Sequence, residues 1–306
     1  MRRIRRRAAL RVLGAAVGAA TVMGAARGGV WAGGFAAEGG EPVLAAGAPM
    51  SAERLALIAA FRKESEGLEK KFEARSYKSD WTMPYRLFKP EGGAGATAGK
   101  LPLVIYLHGS GGLGDDNLKQ LGLGNVFGTR VWLLPENQKQ FPCYVMAPQT
   151  DRGWAKYDMT QESEGRAKVV AGEGEGTRVA LEIVDALRRE FAIDERRIYV
   201  MGQSMGGAGV WNMIASRPNF FAAGVICCGS ESTEAGTESP ATAIWNFHGD
   251  ADKTVSVEVS RERMAARKKA GGKPVVTEYA GVDHNCWEWA FTEPGLGKWM
   301  FGQKRG

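Results

Sequence analysis

A single serine lies in a glycine-rich turn that directly follows an apolar run. The segment is "RIYVMGQSMGG", in which Gly202 and Gly206 flank Ser204 in the pattern Gly-x-Ser-x-Gly. A sharp turn from a strand into a helix favours glycine at these positions, because a Cβ there would hold the strand and the helix apart. A serine presented on such a turn is a candidate nucleophile for attack on a carbonyl carbon. The sequence therefore predicts nucleophilic catalysis by Ser204 rather than a simple packing turn.

The base that such a serine requires must be one of three histidines in the chain. A serine hydroxyl is a weak nucleophile near neutral pH, so a base removes its proton and an acid orients that base. When the serine lies on a strand-turn-helix of this kind, the expected chain order is serine, acid, histidine. His108 precedes the serine, and His248 precedes every acid at the end of its own strand. Elimination leaves His284 as the predicted base.

The acid is expected in the segment "FHGDADKTV", which follows the fifth of six predicted buried strands. Asp250 and Asp252 both lie there, and their spacing does not decide between them. Asp283 adjoins the predicted base in sequence, which is a poor position for orienting it, and we interpret it as a loop carboxylate. The residues alone therefore leave two candidates for the acid.

Acyl transfer also needs hydrogen-bond donors for the negative oxygen of the tetrahedral intermediate. One predicted donor is the backbone N–H of Met205, at the start of the helix after the nucleophile, where the helix dipole adds to its effect. Trp154 and Trp287 are candidates for an apolar wall of the substrate pocket, and ordinary packing is an equal alternative for each. The sequence has no metal-ligand cluster, dinucleotide-binding pattern or cofactor lysine, so we predict no metal and no other cofactor.

The elements that must position these residues alternate between strands and helices. This alternation predicts a mostly parallel central sheet flanked by helices, in a single catalytic domain over 76–306. The segment "WTMPYRLFKP" predicts a further strand at the edge of the sheet. An N-terminal helix is predicted within 51–75, ending near Phe72. The six buried strands are predicted at "LVIYLHG", "CYVMAPQ", "RIYVMGQ", "AAGVICCG", "AIWNFHGD" and "VVTEYAG".

The positive charge of the chain is concentrated at its start. The formal net charge is +6, from 40 basic and 34 acidic residues, and seven of the basic residues are arginines within 1–32. Without that segment 33 basic residues face 34 acidic ones. A body so close to neutral lacks the excess of cations that binding to a phosphate backbone requires, so no nucleic-acid partner is expected.

The same first segment has a basic start, an apolar stretch and small residues beyond it, which predicts a secretory signal peptide at 1–32. Cleavage is expected after Ala26 or Ala32. A membrane anchor is the weaker alternative, because the stretch is rich in Gly and Ala and is interrupted by Arg11. A flexible linker is predicted at 33–50. We therefore expect a secreted or periplasmic protein with no stable membrane anchor after cleavage. Arg6-Arg7 followed by Leu10 and Arg11 loosely resembles a twin-arginine signal, and the sequence leaves the export route open.

The motifs "LHGSGG", "APQ", "RIYVMGQSMGG", "FHGDADKTV" and "EYAGVDHNCW" together resemble exported α/β-hydrolases of the dienelactone-hydrolase-like, prolyl-oligopeptidase-like, and polyhydroxybutyrate-depolymerase and feruloyl-esterase-like group. The resemblance spans roughly Tyr77 to Gly306. It implies the α/β-hydrolase fold. It also implies that Asp252, the last position of the His-Gly-x-x-Asp pattern, is the acid. By the same resemblance "HGSGG" is the oxyanion loop, with the N–H of Ser110 as second donor and that of Gly111 in reserve.

The resemblance implies a serine hydrolase that cleaves small-molecule or polymer-borne carboxylic esters through an acyl-enzyme. A serine peptidase of the prolyl-oligopeptidase-like type is one alternative, since it uses the same three residue types. A non-catalytic binding protein on a hydrolase scaffold is another. A glycine-rich phosphate-binding loop at 108–112 is disfavoured, because the lysine and the spacing of a nucleotide site are missing.

The four cysteines are too few for a disulfide framework. We favour buried free thiols for all four, Cys143 included. The alternative is one bridge in an oxidising compartment, between Cys286 and either Cys227 or Cys228, because both segments should end near the same site.

Overall fold

The computed structural model of the protein describes residues 52–91, 99–163, 166–229 and 241–306. The predicted signal peptide at 1–32 and the predicted linker at 33–50 lie outside these residues. In chain order, the strands of the described part are β1 Glu73–Lys78, β2 Thr82–Phe88, β3 Leu101–Leu107, β4 Tyr144–Pro148, β5 Ala155–Ser163, β6 Arg166–Glu173, β7 Ile193–Gln203, β8 Ala223–Cys227, β9 Ala243–Gly249 and β10 Val275–Tyr279.

Helices alternate with these strands and differ widely in length. They are α1 Ala52–Glu64, α2 Val126–Arg130, α3 Pro135–Gln140, α4 Glu175–Glu190, α5 Met205–Ser216, α6 Val257–Lys269, α7 Trp287–Ala290 and α8 Leu296–Gly302. None of the helices in the described ranges combines the length and the apolar character needed to cross a membrane.

The central sheet contains eight strands in the order β1-β2-β4-β3-β7-β8-β9-β10. β1 pairs antiparallel with β2, and β2 pairs antiparallel with β4. The remaining neighbours pair in parallel, so six strands run in the same direction: β4, β3, β7, β8, β9 and β10. The predicted mostly parallel sheet is confirmed. Its parallel strands all end at one edge, and in such sheets functional residues collect at the carboxyl ends.

Two predictions about the N-terminal part of the domain are wrong. The predicted edge strand is β2, which is not at the edge, because β1 pairs with it on the outside from Glu73 to Lys78. The predicted N-terminal helix ends at Glu64 rather than near Phe72, and Gly67 has a φ of 78°, a left-handed conformation that an α-helix does not continue through. β1 begins inside the range predicted as helix.

The sheet separates two hydrophobic clusters, because successive side chains of a strand point to opposite faces. In β3, Val104 and Tyr106 belong to one cluster, and Leu103, Ile105 and Leu107 belong to the other. The first cluster includes residues of α1, α2 and α8, and the second includes residues of α4, α5 and α6. The sheet is thus covered by helices on both faces. A two-stranded sheet formed by β5 and β6, which the sequence did not predict, stands apart from it.

Helix α1 is attached to the segment around α7 by charged side chains. The Arg54 guanidinium donates to the carbonyl oxygen of Trp289 at 2.8 Å and to Oε2 of Glu293 at 2.9 Å. Arg62 donates to Glu288 at 2.6 Å. α1 therefore packs against the segment that follows the predicted catalytic histidine, more than 200 residues further along the chain.

Candidate active site

Ser204 occupies the turn between β7 and α5 with φ 53° and ψ −121°. This backbone conformation is strained for a residue with a Cβ, and strain of this kind concentrates at functional sites. The flanking glycines are required sterically: a Cβ at Gly206 would lie 2.0 Å from the carbonyl oxygen of Leu107, and one at Gly202 would lie 2.4 Å from the carbonyl oxygen of Gly206. The N–H of Ser204 donates to the carbonyl oxygen of Cys227 at 2.8 Å, which fixes the turn against β8.

His284 follows β10 and brings its ring to the serine. Its Nε2 lies 2.8 Å from Oγ of Ser204, and its Nδ1 lies 2.7 Å from Oδ2 of Asp252. Since the carboxylate can only accept, Nδ1 carries the proton and donates to Asp252. Nε2 is then left with its lone pair toward Oγ, ready to accept the serine proton. The structure therefore brings Ser204, His284 and Asp252 together in one hydrogen-bonded chain.

The carboxylate of Asp252 is held on both oxygens. Oδ1 accepts the N–H of Thr254 at 2.7 Å and the N–H of Val255 at 2.8 Å, and the side chain is fully buried. These donors leave Oδ2 for the imidazole. Asp252, and not Asp250, thus contacts the predicted base.

The two other aspartates near the site serve the loops. Oδ1 of Asp250 accepts the N–H of Gly281 at 2.6 Å and so joins the ends of β9 and β10. Oδ1 of Asp283 accepts the N–H of Lys253 at 3.1 Å and the N–H of His284 at 2.7 Å. Hydrogen bonds from these two N–H groups, that of Lys253 contributing most, lower the pKa of the Asp283 carboxyl. In the structure each carboxylate organises the backbone beside the site.

His248 is a residue of the site for which no role is predicted from the sequence. Its fully buried ring places Nε2 3.2 Å from Oδ2 of Asp252 and 3.0 Å from the carbonyl oxygen of Val255. Both neighbours are acceptors, so Nε2 carries a proton. Nδ1 lies 2.6 Å from Oγ of Ser260. His248 therefore fastens the acid loop to α6, and its position four residues before Asp252 at a strand end was the available signal.

The loop after β3 surrounds the serine from the other side. Ser110 and Gly111 line the same cavity as Ser204. The N–H of Gly109 donates to Oδ1 of Asn125 at 3.0 Å. Among the hydrogen bonds of the described residues, none uses the N–H of Ser110 or that of Met205. The two predicted oxyanion donors therefore have no hydrogen-bond acceptor among the described residues.

His108 and Trp154 lie beneath this loop rather than in the pocket. Nδ1 of His108 donates to the carbonyl oxygen of Gly109 at 2.8 Å, and Nε2 accepts the N–H of Thr150 at 3.2 Å. Burial lowers the pKa of His108 to about 4. Trp154 is fully buried and donates from Nε1 to the carbonyl oxygen of His108 at 2.9 Å. The prediction that Trp154 forms a pocket wall is therefore wrong, because close packing against α5 encloses the indole.

A cavity of about 180 Å³ opens beside Ser204 and His284. Trp287, one of the two tryptophans predicted for a pocket wall, lines it with its ring edge-on to that of His284. Leu123 lines it as well and is 80 % exposed, so the cavity has an apolar rim. A Cβ at Gly124 would lie 2.9 Å from Nε1 of Trp287, which shows how closely the two walls approach.

The fold and the site define a class of protein, the α/β-hydrolases, in which a serine on a sharp strand-to-helix turn meets a histidine and an acid above a mostly parallel sheet. Residues 97–293 match the phospholipase/carboxylesterase family, and the chain belongs to that family. The predicted fold and the predicted family group are confirmed. The prediction that no cofactor is used stays a prediction.

Solved structures similar to this chain include esterases and a peptidase. A thermostable esterase is 32% identical, with a TM-score of 0.70 over 78% of this chain and 64% of its own, so this chain spans less than two thirds of that esterase. A ferulic acid esterase from Anaeromyces mucronatus is 15% identical, with a TM-score of 0.52 over 72% of this chain and 87% of its own. An acylaminoacyl peptidase is 14% identical, with a TM-score of 0.52 over 77% of this chain and 42% of its own.

At the lower identities the likeness shows the fold alone. Together with the family match, the thermostable esterase supports the predicted enzyme class, a serine hydrolase. A comparison with curated proteins found no match.

Proposed function

We propose that the protein hydrolyses carboxylic esters through a covalent acyl-enzyme on Ser204. The observation that carries the proposal is the hydrogen-bonded chain from Oγ of Ser204 through His284 to Asp252, at 2.8 and 2.7 Å. A tautomer with the proton on Nδ1 makes Nε2 the base, and the buried carboxylate stabilises the imidazolium that forms when Nε2 takes the serine proton.

The first half of the reaction transfers the acyl group to the enzyme. Oγ of Ser204 attacks the ester carbonyl carbon while Nε2 of His284 takes the hydroxyl proton. The carbonyl oxygen becomes negative and is stabilised by the N–H groups of Met205 and Ser110, of which the first adds the favourable dipole of α5. The tetrahedral intermediate then collapses, the bond to the alcohol oxygen breaks, and His284 donates its proton to that oxygen.

The second half returns the enzyme to its starting state. His284 removes a proton from a water molecule, whose oxygen attacks the acyl carbon, and the same donors stabilise the second tetrahedral intermediate. Its collapse breaks the bond to Oγ, and the proton goes back to Ser204. The products are a carboxylic acid and an alcohol, and no cofactor enters the scheme.

The decisive experiment compares the wild type with Ser204→Ala on p-nitrophenyl acetate. We expect turnover to fall by at least roughly 10³-fold, because the nucleophile is lost. Ser79→Ala is a matched control, since Ser79 contacts Arg178 away from the site and its variant should retain full activity. Retained turnover in Ser204→Ala would contradict the proposal, and circular dichroism establishes that the variant is folded.

Two further measurements separate the alternatives. A fluorophosphonate probe should label the wild type stoichiometrically at Ser204; a folded wild type that stays unlabelled would favour a binding protein. Peptidyl p-nitroanilides test the peptidase alternative. If the protein cleaves these amides faster than matched esters, a peptidase replaces the esterase proposal.

We also propose that the protein is exported and acts outside the cytoplasm. The support is the sequence of 1–32, with its basic start and its apolar, small-residue continuation. N-terminal sequencing of protein recovered from the producing cells should begin after Ala26 or Ala32. Recovery of cytoplasmic protein that retains Met1 would contradict export.

A further inference from the structure

Three thiols converge directly beneath the serine and the histidine. Cys227 and Cys228 end β8, and Cys286 lies two residues after His284. All three are fully buried, and their sulfur atoms lie within 4.8 Å of one another. Sγ of Cys227 is 3.2 Å from Sγ of Cys286 and 4.0 Å from Sγ of Cys228. The proposed hydrolysis uses none of these thiols.

The distance between the sulfur atoms of Cys227 and Cys286 distinguishes a disulfide site from a metal site. Two thiolates on one tetrahedral zinc ion, each about 2.3 Å from the metal, lie about 3.8 Å apart. The sulfur atoms of Cys227 and Cys286, at 3.2 Å, are already closer than that. They are also closer than the roughly 3.5–4.0 Å at which even smaller carbon atoms attract best. The pair is therefore arranged for a sulfur–sulfur bond rather than for a metal ion.

We propose that Cys227 and Cys286 form a covalent modification site that small-molecule disulfides convert into an intramolecular disulfide, with Cys228 left as a thiol. The thiolate of one cysteine attacks a small-molecule disulfide, forms a mixed disulfide and releases one small thiol. The second cysteine attacks the protein sulfur of that mixed disulfide and releases the other small thiol. The two cysteines lose two protons and two electrons, and the reagent gains them. Since both thiols are fully buried, the exchange takes place as the chain folds.

The bond would connect the two halves of the proposed active site. The carbonyl oxygen of Cys227 accepts the N–H of Ser204 at 2.8 Å, and Cys286 belongs to the loop that carries His284. Cys228 already donates from Sγ to the carbonyl oxygen of His284 at 3.2 Å, so the third thiol has its own partner. The disulfide would close a loop that spans 59 positions and so restrict the unfolded chain.

The test folds the full chain in oxidised and in reduced glutathione, then unfolds it in acid, alkylates the free thiols and measures the mass. In the oxidised sample we expect a loss of two hydrogen atoms, alkylation of Cys143 and Cys228 alone, and a peptide that links Cys227 to Cys286. The melting temperature should be higher by about 5–15 °C than that of the reduced sample. These measurements do not use ester hydrolysis, so the site and the proposed function can fail separately.

Single variants identify the partners. Cys228→Ala and the control Cys143→Ala should both keep the link and the shift in melting temperature, whereas Cys286→Ala should lose both. Four alkylated thiols after folding in oxidised glutathione would overturn the proposal. A bridge that contains Cys228, or a stoichiometric metal ion in the folded protein by mass spectrometry, would overturn it as well.

Discussion

Acidification should destabilise the protein through His108, the buried histidine beneath the oxyanion loop. Burial lowers its pKa from 6.5 to about 4, because a charged imidazolium loses hydration there. The unfolded chain takes up this proton near 6.5 and the folded chain only near 4, so between these values the unfolded state binds more protons. The contribution to stability is therefore complete above pH 6.5 and is lost as pH falls toward 4. At about 1.4 kcal/mol for each pKa unit, the loss is about 3 kcal/mol.

Urea unfolding followed by tryptophan fluorescence measures this loss, at several values between about pH 7.5 and about pH 4. The comparison is with His108→Gln, whose amide can donate to the carbonyl oxygen of Gly109 and accept the N–H of Thr150 without titrating. Other titrating groups are the same in both proteins, so their effects cancel in the difference. We expect the wild type to lose about 3 kcal/mol more than the variant over this range.

Parallel stability curves for the two proteins would refute this reasoning. So would NMR titration of the folded protein, if the His108 ring took up its proton near the ordinary value for histidine. The prediction extends to activity, since a proton on Nε2 removes the acceptor for the N–H of Thr150. The oxyanion loop should then lose part of its ordered structure, and the rate of ester hydrolysis should fall for that reason.

Three substitutions test other parts of the site. Asp252→Asn should lower kcat by roughly 10³–10⁴-fold with the fold intact; a loss below tenfold in steady-state kinetics would contradict its role. His248→Phe removes the Nε2 that lies 3.2 Å from Oδ2 of Asp252 and leaves Ser260 without its ring partner, so kcat should fall by roughly tenfold or more with little change in KM; an unchanged kcat would show that the acid loop does not need His248. Gly124→Ala adds a methyl group 2.9 Å from Nε1 of Trp287. KM should rise for aromatic acyl esters more than for acetate, and an equal rise would place the acyl group elsewhere.

The nucleophile and the base could be predicted from sequence because their signals are local or follow chain order. Ser204 stands in a five-residue pattern whose glycines are dictated by contacts of the turn itself. His284 followed from elimination among three histidines. The choice between Asp250 and Asp252 did not follow from spacing, since it depends on how the loop after β9 turns. In the structure, the N–H groups of Thr254 and Val255 hold Oδ1 of Asp252 so that Oδ2 meets the imidazole, whereas Asp250 accepts the N–H of Gly281.

The remaining differences arise from long-range packing. β1 has an exposed and charged sequence, and only its pairing with β2 makes it a strand. Trp154 is enclosed because α5 approaches so closely that a Cβ at Gly209 would lie 2.5 Å from Cβ of Trp154. Such relations appear only when distant segments are assembled.

The attachment of α1 to the segment around α7 sets an order of events during synthesis. A ribosome delivers the N-terminal residues first, so Arg54 leaves it 235 positions before its partner Trp289. Until Trp289 has been synthesised, Arg54 lacks its partners in the segment around α7, and until His284 has been synthesised, Ser204 has no imidazole. We expect a nascent chain to leave esters intact until His284 and α7 have emerged, since only then can the proposed nucleophile and base meet.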